Sequence, residues 1–459
     1  MKTILRPATL LALGSAVAAL HAANPIIQTI YTADPAPVVH DGVLYVFTSH
    51  DEDELVNNFF TMRDWRCYST TDMVNWTGHG AVASLRAFSW AGSGWGGGFD
   101  NGAWAPQAIE RDGKWYLYVP LHGRGIGVLV ADNPFGPYTD PIGKPLIGGD
   151  HIDPSVFIAD DGQAYLYWGN PKCWYAKLNR DMISLDESIG ERGLVSLAMT
   201  PEAFGPRAKP DEKRPTAYEE GPWLYQRGRR HYLFHAAGPL PEHLAYSVSE
   251  SPTGPWRYSG VVMPAQGGSF TNHPGVVDYK GRTYLFYHNA ALPGGGGFKR
   301  SVCVEELTFN SDSSVVPVTM STTGPALAGA IAPYRRVEAE TVAWAHGVET
   351  SPAGDRPGNM TLRDFADGAH VLVRQVDFGS HPAREFSITL SAHQAGATIE
   401  LRLDRLDGPV VATVSVPDTQ GQWQTVSTAA AGATGVRDLF FVFKGPSAGL
   451  ALDWWTFVR

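Results

Sequence analysis

Short runs of β-branched and aromatic residues recur along residues 24–318, and each run follows a proline-containing motif and a turn that contains glycine. In the first segment, the motif Asp34-Pro35 precedes the pair Asp41-Gly42 and then the apolar run 43–47. Apolar runs on either side of such a pair are typical of a β-hairpin. Five segments share the pattern, with proline motifs at Asp34-Pro35, Trp104-Ala105-Pro106, Asp153-Pro154, Glu220-Gly221-Pro222 and His273-Pro274-Gly275.

The spacing of the proline motifs predicts a repeat architecture. They recur at intervals of roughly 50 to 70 residues, which suits one propeller blade with loop insertions. Four strands per blade and five repeats predict a five-bladed β-propeller over residues 24–318. Because the innermost strand of each blade lines the central axis, the first residues of the five motifs should meet at one mouth of the channel. These lead residues are Asp34, Trp104, Asp153, Glu220 and His273.

The pattern changes in the last third of the chain. Residues 319–334 are rich in small residues, Pro and Gly, which is typical of a linker. From residue 335 a second series of short alternating strands begins and predicts a β-sandwich of the jelly-roll type over residues 335–459. The whole chain is therefore expected to be all-β, with a propeller followed by a sandwich.

The composition agrees with a strand-rich fold and limits the classes of molecule that the protein is expected to bind. The 459 residues include 50 Gly and 33 Pro, which agrees with many short strands. A formal net charge of −10 argues against binding to the phosphates of nucleic acids. Three widely spaced cysteines are expected to be mostly buried, and one disulfide among them stays open: Cys67, Cys173 and Cys303.

The N-terminus has the pattern of a signal peptide. Lys2 and Arg6 precede an apolar run over residues 8–20, and small residues follow. This predicts a signal peptide over residues 1–22 and a secreted or periplasmic protein. The run is too short to span a bilayer comfortably, and no later run is long enough, so no membrane association is expected.

Three of the lead residues are carboxylates, and their meeting in one channel has a chemical consequence. Like charges that cannot all be solvated raise one another's pKa values, so one carboxylic acid can stay protonated near neutral pH. An acid, a base and an open pocket are what the hydrolysis of a glycosidic bond requires. Each lead residue taken alone has a plainer interpretation as a turn, surface or core residue, but their shared place in the repeat favours catalysis. The acidic run 50–53, HDED, is interpreted as a solvated loop, with contact to substrate at the pocket rim as the alternative.

Residues 24 to about 310 resemble glycoside hydrolase family 43, most closely its arabinoxylan arabinofuranohydrolases. The matching stretches include TADPAPVV, NGAWAPQAI, HIDPSVFIADDGQAYLYWGNP, YEEGPWLY and TNHPGVVDYKGRTYLFYHN. The resemblance implies that Asp34 is the general base, that Asp153 adjusts the pKa and orientation of the acid, and that Glu220 is the general acid. It also implies an inverting mechanism, in which water fits between Asp34 and Glu220 and the two carboxyl groups lie about 6.5 to 9.5 Å apart.

The resemblance assigns further residues to the sugar pocket. His273 would lie on the axis, where members of the family often bind a calcium ion or a water, and Arg300 would reach the pocket floor. A permanent cation beside the carboxylates would also favour their ionised forms. Trp104 would present an apolar face to the sugar. Trp90 and Trp95 lie in a Gly-rich loop and either line a xylan-binding groove or pack within that loop.

The C-terminal segment resembles a family 6 carbohydrate-binding module, through VEAE, DGAHVLVRQVDFG, WQTV, FFVFKG and LALDWWTF. In that family, carboxylates at the positions of Glu338, Glu340 and Asp453 hold a structural calcium ion, and oxygen donors suit Ca²⁺. No organic cofactor is expected. Val373 stands where the family usually has an aromatic residue, and Ala451 where it has an asparagine. The principal sugar-binding cleft is therefore not expected to bind xylan, and packing on the propeller or binding through another surface stays open.

These observations predict a secreted α-L-arabinofuranosidase that removes side chains from arabinoxylan or its oligosaccharides. We expect a monomer that acts on a plant cell-wall polysaccharide. A β-xylosidase acting on xylo-oligosaccharides is the alternative within the family. A lectin-like propeller without catalysis is the alternative from another class, and the intact acid and base argue against it.

Overall fold

The computed structural model describes residues 24–92, 98–366 and 368–459. Strands dominate these residues, and among them helix is limited to Pro201–Phe204 (α1) and two 3-10 turns, Leu85–Ala87 and Ser89–Gly92. The expected all-β class is confirmed. No helix in the described ranges is long and apolar enough to cross a membrane. The predicted signal peptide and Trp95 lie outside the described residues.

Five antiparallel sheets follow one another along residues 31–307, and within this range each is built from strands that are consecutive in sequence. The first contains β1 (Tyr31–His40), β2 (Val43–Asp51), β3 (Asp64–Thr70) and β4 (Trp76–Ser84). The second contains β5 (Gln107–Arg111), β6 (Lys114–Leu121), β7 (Gly125–Ala131) and β8 (Ile147–Gly148). The third contains β9 (Ser155–Ile158), β10 (Ala164–Trp168), β11 (Trp174–Leu178) and β12 (Val195–Ser196). The fourth contains β13 (Tyr218–Arg227), β14 (Arg230–Ala237), β15 (His243–Ser249) and β16 (Arg257–Met263), and the fifth β17 (Gly275–Tyr279), β18 (Arg282–Asn289) and β19 (Ser301–Leu307).

Tight turns set the register of the first hairpins. At Asp41-Gly42 the φ angles are 49° and 75°, the two positive values of a type I′ turn, whose twist matches that of the flanking strands. In the fourth segment the turn falls one residue later than the predicted Arg227-Gly228, because Arg227 pairs directly with Arg230. Gly228, with φ of 59°, supplies the positive φ angle there.

The start of the described chain is fastened to the fifth sheet. The Ile26 N–H donates to the Val302 carbonyl at 2.9 Å, and the Thr32 N–H donates to the Arg300 carbonyl at 3.0 Å. These contacts bring the first and fifth sheets together.

Large aromatic side chains fill the space between neighbouring sheets. Their burial removes much apolar surface from water, which is the main stabilising contribution of such a core. The fully buried ones include Trp65, Tyr118, Trp168, Tyr232 and Tyr287. The three cysteines are buried and free.

The C-terminal residues form two packed antiparallel sheets around their own core. The strands of this region are β20 (Val337–Glu338), β21 (Thr341–Val342), β22 (Trp344–His346), β23 (Glu349–Pro352), β24 (Met360–Arg363), β25 (His370–Asp377), β26 (Glu385–Ser391), β27 (Thr398–Leu403), β28 (Val410–Ser415), β29 (Gln424–Ala429), β30 (Val436–Lys444) and β31 (Ala451–Val458). One sheet has the strand order β23-β24-β31-β26-β29, with β20 against β31, and the other has the order β22-β25-β30-β27-β28.

The sandwich is joined to the first sheet by backbone pairing. Strand β21 adds to the edge of β4, with Thr341 opposite Thr77. Asn75 also caps the backbone of Arg374, donating to its carbonyl at 2.9 Å and accepting from its N–H at 2.8 Å. The domain therefore packs on the rest of the chain, and one sheet crosses the boundary.

Two residues that depart from the family pattern lie inside the sandwich. Val373 is fully buried and Ala451 is 3% exposed. Neither side chain presents a surface to a ligand in this conformation.

Candidate active site

One cavity of about 580 Å³ lies where the sheets present their first strands. The lead residues of the proline motifs stand on those strands or just before them. All five line this cavity together with Arg300: Asp34, Trp104, Asp153, Glu220 and His273. Residues far apart in sequence thus share one pocket.

Asp34 lies on β1 in a left-handed backbone conformation, with φ of 52°. For a residue with a side chain this conformation costs about 1 to 2 kcal/mol, so its surroundings must hold it. Ser49 Oγ donates to Asp34 Oδ2 at 2.6 Å, and Arg300 Nη1 donates to Oδ1 at 3.0 Å. Burial raises the pKa of Asp34, but the charge of Arg300 and the hydrogen bond from Ser49 act against it, and the pKa is lowered to about 2. Asp34 is therefore an ionised carboxylate at neutral pH.

Arg300 is held by Asp51, at the end of β2. The sequence pattern predicts a solvated loop over residues 50–53, but Asp51 is fully buried. Its two oxygens accept from the backbone N–H, Nε and Nη2 of Arg300, each at 2.8 Å. The interpretation of the acidic run is therefore wrong for Asp51, while Asp53 is exposed as expected. The partners are 249 positions apart in sequence, so no local signal shows the pair.

Two histidines face Asp34 from the fifth sheet. His273 Nδ1 lies 3.7 Å from Asp34 Oδ1, and burial lowers the pKa of His273. His288 Nδ1 accepts from the backbone N–H of Asp34 at 3.2 Å, and its Nε2 lies 3.0 Å from the Thr271 carbonyl. Because Nδ1 accepts and Nε2 donates, His288 is neutral. The sequence pattern did not predict His288, which fixes the backbone at Asp34.

Glu220 lies on β13 and is partly accessible from the pocket. Asn170 Nδ2 donates to its Oε2 at 2.6 Å. Burial raises the pKa of Glu220 to about 7, with Asp34 and Glu219 adding to the rise and Asn170 and Arg300 opposing it. Near neutral pH, Glu220 therefore exchanges a proton readily.

The neighbouring Glu219 is engaged differently. Arg207 Nη1 lies 2.5 Å from Glu219 Oε1, and Arg214 Nε donates to Oε2 at 2.6 Å. Both oxygens are paired with cations, so Glu219 is not a candidate acid.

Asp153 is buried beside the strand of Glu220. Its Oδ2 accepts from the Gly221 N–H at 3.1 Å, and its own φ is 59°. Burial, followed by repulsion from Glu220 and Asp34, raises the pKa of Asp153 well above its usual range. The contact ties Asp153 to the backbone that carries Glu220.

The predicted aromatic residues fall into two groups. Trp104 lines the pocket and stacks on His122, with ring centroids 3.8 Å apart. Phe60, which the sequence pattern did not predict, lies between Trp104 and Arg300, with the Arg300 guanidinium 4.7 Å from its ring centroid. Trp90 lies apart from the pocket lining: its indole N–H donates to Asp140 Oδ2 at 3.0 Å, and its ring packs against the loop.

A further carboxyl group, Glu242, lines the pocket and is 4% exposed. Its Oε2 accepts from the Asn272 N–H at 2.8 Å. Burial and repulsion from Glu220 raise its pKa well above the usual range. Glu242 could not be recognised from the repeat because it stands outside the proline motifs.

The cavity thus combines one ionised carboxylate with carboxyl groups of raised pKa. Environments that push the pKa values of titratable groups apart assign one as a base and another as an acid. Asp34 is suited to accept a proton and Glu220 to donate one. This is the chemistry that acid- and base-assisted hydrolysis requires.

The sandwich carboxylates form a separate cluster. Arg336 pairs with Glu338 at 2.8 Å and with Asp453 at 3.3 Å. Glu340 is 3% exposed, and its Oε2 has no hydrogen-bond partner among the described residues. Burial, with Glu338 and Asp453 nearby, raises its pKa well above the usual range. An orphaned carboxylate oxygen beside two further carboxylates has the donor chemistry that a hard cation such as Ca²⁺ takes, although the oxygens of the three residues do not all lie within 4.8 Å of one another.

In the described ranges, only one set of three residues brings potential metal-binding atoms within 4.8 Å of one another: His50, Glu52 and Asp64. Arg66 pairs with Asp64 at 2.8 Å, and Arg63 pairs with Glu52 at 3.1 Å. Arginine already neutralises these carboxylates.

Comparisons with known proteins place the chain among glycosidases. Residues 22–315 match the sequence model of the glycosyl hydrolases family 43, and residues 338–459 match that of the carbohydrate binding module, family 6. The chain is 33% identical over 500 aligned residues to an arabinoxylan arabinofuranohydrolase from Bacillus subtilis, covering 95% of this chain and 92% of that protein. It is 32% identical over 338 residues to a xylosidase/arabinosidase 43A from Humicola insolens, covering 64% of this chain and 98% of that protein.

A solved structure is similar over nearly the whole chain. It is the family 43 arabinoxylan arabinofuranohydrolase from Bacillus subtilis in complex with cellotetraose. The TM-score is 0.80 at 31% identity, covering 96% of this chain and 99% of that one.

Proposed function

Because this chain belongs to glycosyl hydrolase family 43, we propose that it removes α-L-arabinofuranosyl side groups from arabinoxylan and its oligosaccharides, with inversion at the anomeric carbon. One observation carries the proposal: an ionised Asp34 and a Glu220 with a pKa of about 7 line the same cavity. A binding protein needs neither an acid nor a base. The name of the Bacillus subtilis relative supports arabinoxylan as the substrate.

Each residue has a role that follows from its contacts. Glu220 protonates the leaving oxygen of the glycosidic bond. Asp34, kept ionised by Arg300 and Ser49, takes a proton from the water that attacks the anomeric carbon. Asp153 accepts from the Gly221 N–H, which keeps the neighbouring Glu220 in place, and burial together with repulsion between the two carboxyl groups raises the pKa of Asp153.

The pocket walls have complementary tasks. Trp104 offers an apolar face to the sugar ring, and His273 and Arg300 close the floor beside Asp34. Polar groups that converge beside an apolar wall are typical of sugar pockets.

We also propose that the five sheets are the blades of one propeller. Their succession along the chain and the gathering of the five lead residues around one cavity support this arrangement. The fastening of the N-terminal segment to the fifth sheet also supports the proposal, because a ring of blades needs a contact of this kind between its first and last blades.

Calcium is proposed for the sandwich. Glu338, Glu340 and Asp453 would hold it, and the unpartnered Glu340 oxygen supports this assignment. The ion would neutralise a buried carboxylate and stabilise the domain. A second calcium on the axis near His273 is proposed from the family resemblance alone.

The pattern of the N-terminus supports export as a secreted or periplasmic protein, and we propose that the mature protein acts as a monomer. Size-exclusion chromatography with light scattering would test the monomer. N-terminal sequencing of the exported product would test cleavage near residue 22.

The substrate assignment is tested with three compounds: p-nitrophenyl arabinofuranoside, p-nitrophenyl xyloside and wheat arabinoxylan. Release of arabinose from the polymer is expected. Xylose alone would favour the xylosidase alternative, which the name of the Humicola insolens relative includes. Binding of the polymer without release of either sugar would leave only the lectin alternative.

The role of Glu220 is tested by the dependence on the leaving group. Glu220→Ala should lose far more activity on arabinoxylan than on p-nitrophenyl arabinofuranoside, because only a poor leaving group needs protonation. Loss of a positioned acid costs about 10²- to 10⁴-fold on the poor leaving group. Equal losses on both substrates would contradict the assignment.

A further inference from the structure

A carboxamide and a guanidinium hold one side of the Glu220 carboxyl group. Asn170 Nδ2 donates to Glu220 Oε2 at 2.6 Å, and Arg214 Nη2 donates to Asn170 Oδ1 at 3.1 Å. Arg214 also donates from Nε to Glu219 Oε2 at 2.6 Å. A chain of hydrogen bonds therefore runs from Glu219 through Arg214 and Asn170 to Glu220, and it links two neighbouring residues of β13.

The backbone around Asn170 is pinned on both sides. The Gly169 N–H donates to the Ile152 carbonyl at 2.9 Å, next to Asp153. The Gly169 carbonyl accepts from the Tyr218 hydroxyl at 2.7 Å, two residues before Glu220. Gly169 has φ of 122°, and a Cβ there would lie 2.1 Å from the Lys172 carbonyl oxygen. The turn is therefore held between the segments that carry Asp153 and Glu220.

Donor chemistry decides how the amide of Asn170 is turned. A guanidinium only donates hydrogen bonds, so Arg214 must face the amide oxygen. The amide nitrogen must then face Glu220. In a protonated carboxyl group the carbonyl oxygen is a stronger acceptor than the hydroxyl oxygen, so the short bond from Asn170 to Oε2 favours the proton of neutral Glu220 on Oε1.

We propose that Asn170, oriented by Arg214, is a positioning residue that fixes the Glu220 carboxyl group and assigns its proton to Oε1, the oxygen left to serve the substrate. The proposal rests on the proposed role of Glu220 as general acid. It explains why Arg207, Arg214 and the Asn170 amide gather at the start of β13, although only Glu220 donates a proton there. Glu219 anchors Arg214, and Arg214 sets the amide.

The same hydrogen bond favours the ionised form of Glu220, since it is given to a carboxylate oxygen. The other charged or titratable groups around Glu220 come from every adjacent sheet. Four carboxyl groups repel the charge of Glu220: Asp34, Asp153, Glu219 and Glu242. Arg300 attracts this charge. His273 lies beside the backbone of the next residue, Gly221. Removal of the amide leaves the repelling set in place, so Glu220 should hold its proton to higher pH.

The test uses Asn170→Ala in the full chain, with kcat/KM on arabinoxylan measured from pH 5 to 9. A general acid loses activity as pH rises through its pKa. The alkaline limb of the variant should therefore move up by about one to two pH units, the size expected for one hydrogen bond to a charged group. Activity on arabinoxylan should fall about 10- to 100-fold, and activity on p-nitrophenyl arabinofuranoside should fall much less, because Oε1 is then no longer aimed.

Two further variants keep the proposal falsifiable. Arg214→Met should move the alkaline limb of the kcat/KM profile in the same direction by a smaller amount. If Asn170→Ala fails to fold, this variant tests the proposal in its place. Asn179→Ala is the matched control. It removes an exposed amide in the turn just after β11, where Asn179 Nδ2 donates to Ser184 Oγ at 2.9 Å, and its profile should equal that of the parent protein.

The outcomes distinguish the positioning role from the proposed function. An unmoved alkaline limb together with equal losses on both substrates would overturn the role of Asn170. A parent protein that releases neither arabinose nor xylose would instead overturn the proposed function.

Discussion

Removal of the Ser49 hydroxyl should move the acid limb of the activity profile. Ser49 is fully buried, and its Oγ donates to Asp34 Oδ2 at 2.6 Å. Ser49→Ala deletes this bond and only one atom, so little else changes. A hydrogen bond to a charged group contributes about 1.5 to 3 kcal/mol, which corresponds to about one to two pH units. The pKa of Asp34 should therefore rise from about 2 to roughly 3 to 4.

The sign follows from the role of the base. Asp34 acts only when ionised, so activity falls as pH drops through its pKa. At pH 3, roughly nine tenths of the parent protein would carry an ionised Asp34, against roughly a quarter of a variant with a pKa of about 3.5. The lowered pKa also gives the folded state stability that is present above the unfolded value, near 3.8, and is lost as pH falls toward 2. Ser49→Ala should remove about 1.5 to 3 kcal/mol of the free energy of unfolding at pH 6.

The assay is kcat/KM on p-nitrophenyl arabinofuranoside between pH 2.5 and 6, with tryptophan fluorescence recorded at each pH to confirm the fold. Ser69→Ala is the control, because Ser69 makes a similarly short hydrogen bond, 2.7 Å to His79 Nε2, in the same sheet but away from the pocket. The control should lose stability without moving the limb. A Ser49→Ala limb within about 0.3 units of the parent protein would refute the reasoning.

Two other predictions concern stability. Asp51→Asn removes the buried charge that pairs with Arg300, and it should lower the free energy of unfolding in urea by about 3 to 5 kcal/mol. The exposed Asp53→Asn is the control and should change this free energy by less than about 0.5 kcal/mol. Similar effects of the two substitutions would show that the Arg300 pair is not stabilising. EDTA should lower the melting temperature of the sandwich and added calcium should restore it, Glu340→Gln should remove this response, and the exposed Glu349→Gln should keep it. A response that survives in Glu340→Gln would place the ion elsewhere.

Local patterns were enough to predict the strands and the proline motifs. Paired positive φ angles at Asp41-Gly42 and alternation on either side need no distant partner, so hairpins can be recognised from short segments. The repeat then places Asp34 and Glu220 in equivalent positions of different sheets. A shared pocket follows from that equivalence.

Residues whose role depends on a distant partner could not be found in this way. Asp51 lies in an acidic run that resembles a surface loop, and only Arg300 explains its burial. Asn170 lies in the turn after β10, and nothing in the local sequence shows that its amide nitrogen lies 2.6 Å from Glu220 Oε2. Trp90 is an aromatic residue of the kind that stacks on sugars, yet its indole N–H donates to Asp140 and it does not line the pocket. In each case the tertiary contact, and not the local pattern, decides the role.

The central claim is that Asp34 activates water while Glu220 protonates the leaving oxygen. The most direct test is a proton NMR record of the first minutes of hydrolysis of an α-L-arabinofuranoside, before the released sugar equilibrates. We expect the inverted anomer of arabinofuranose to appear first. Initial formation of the retained anomer would mean that a carboxylate attacks the sugar itself, and it would contradict the assignment of Asp34 as a base.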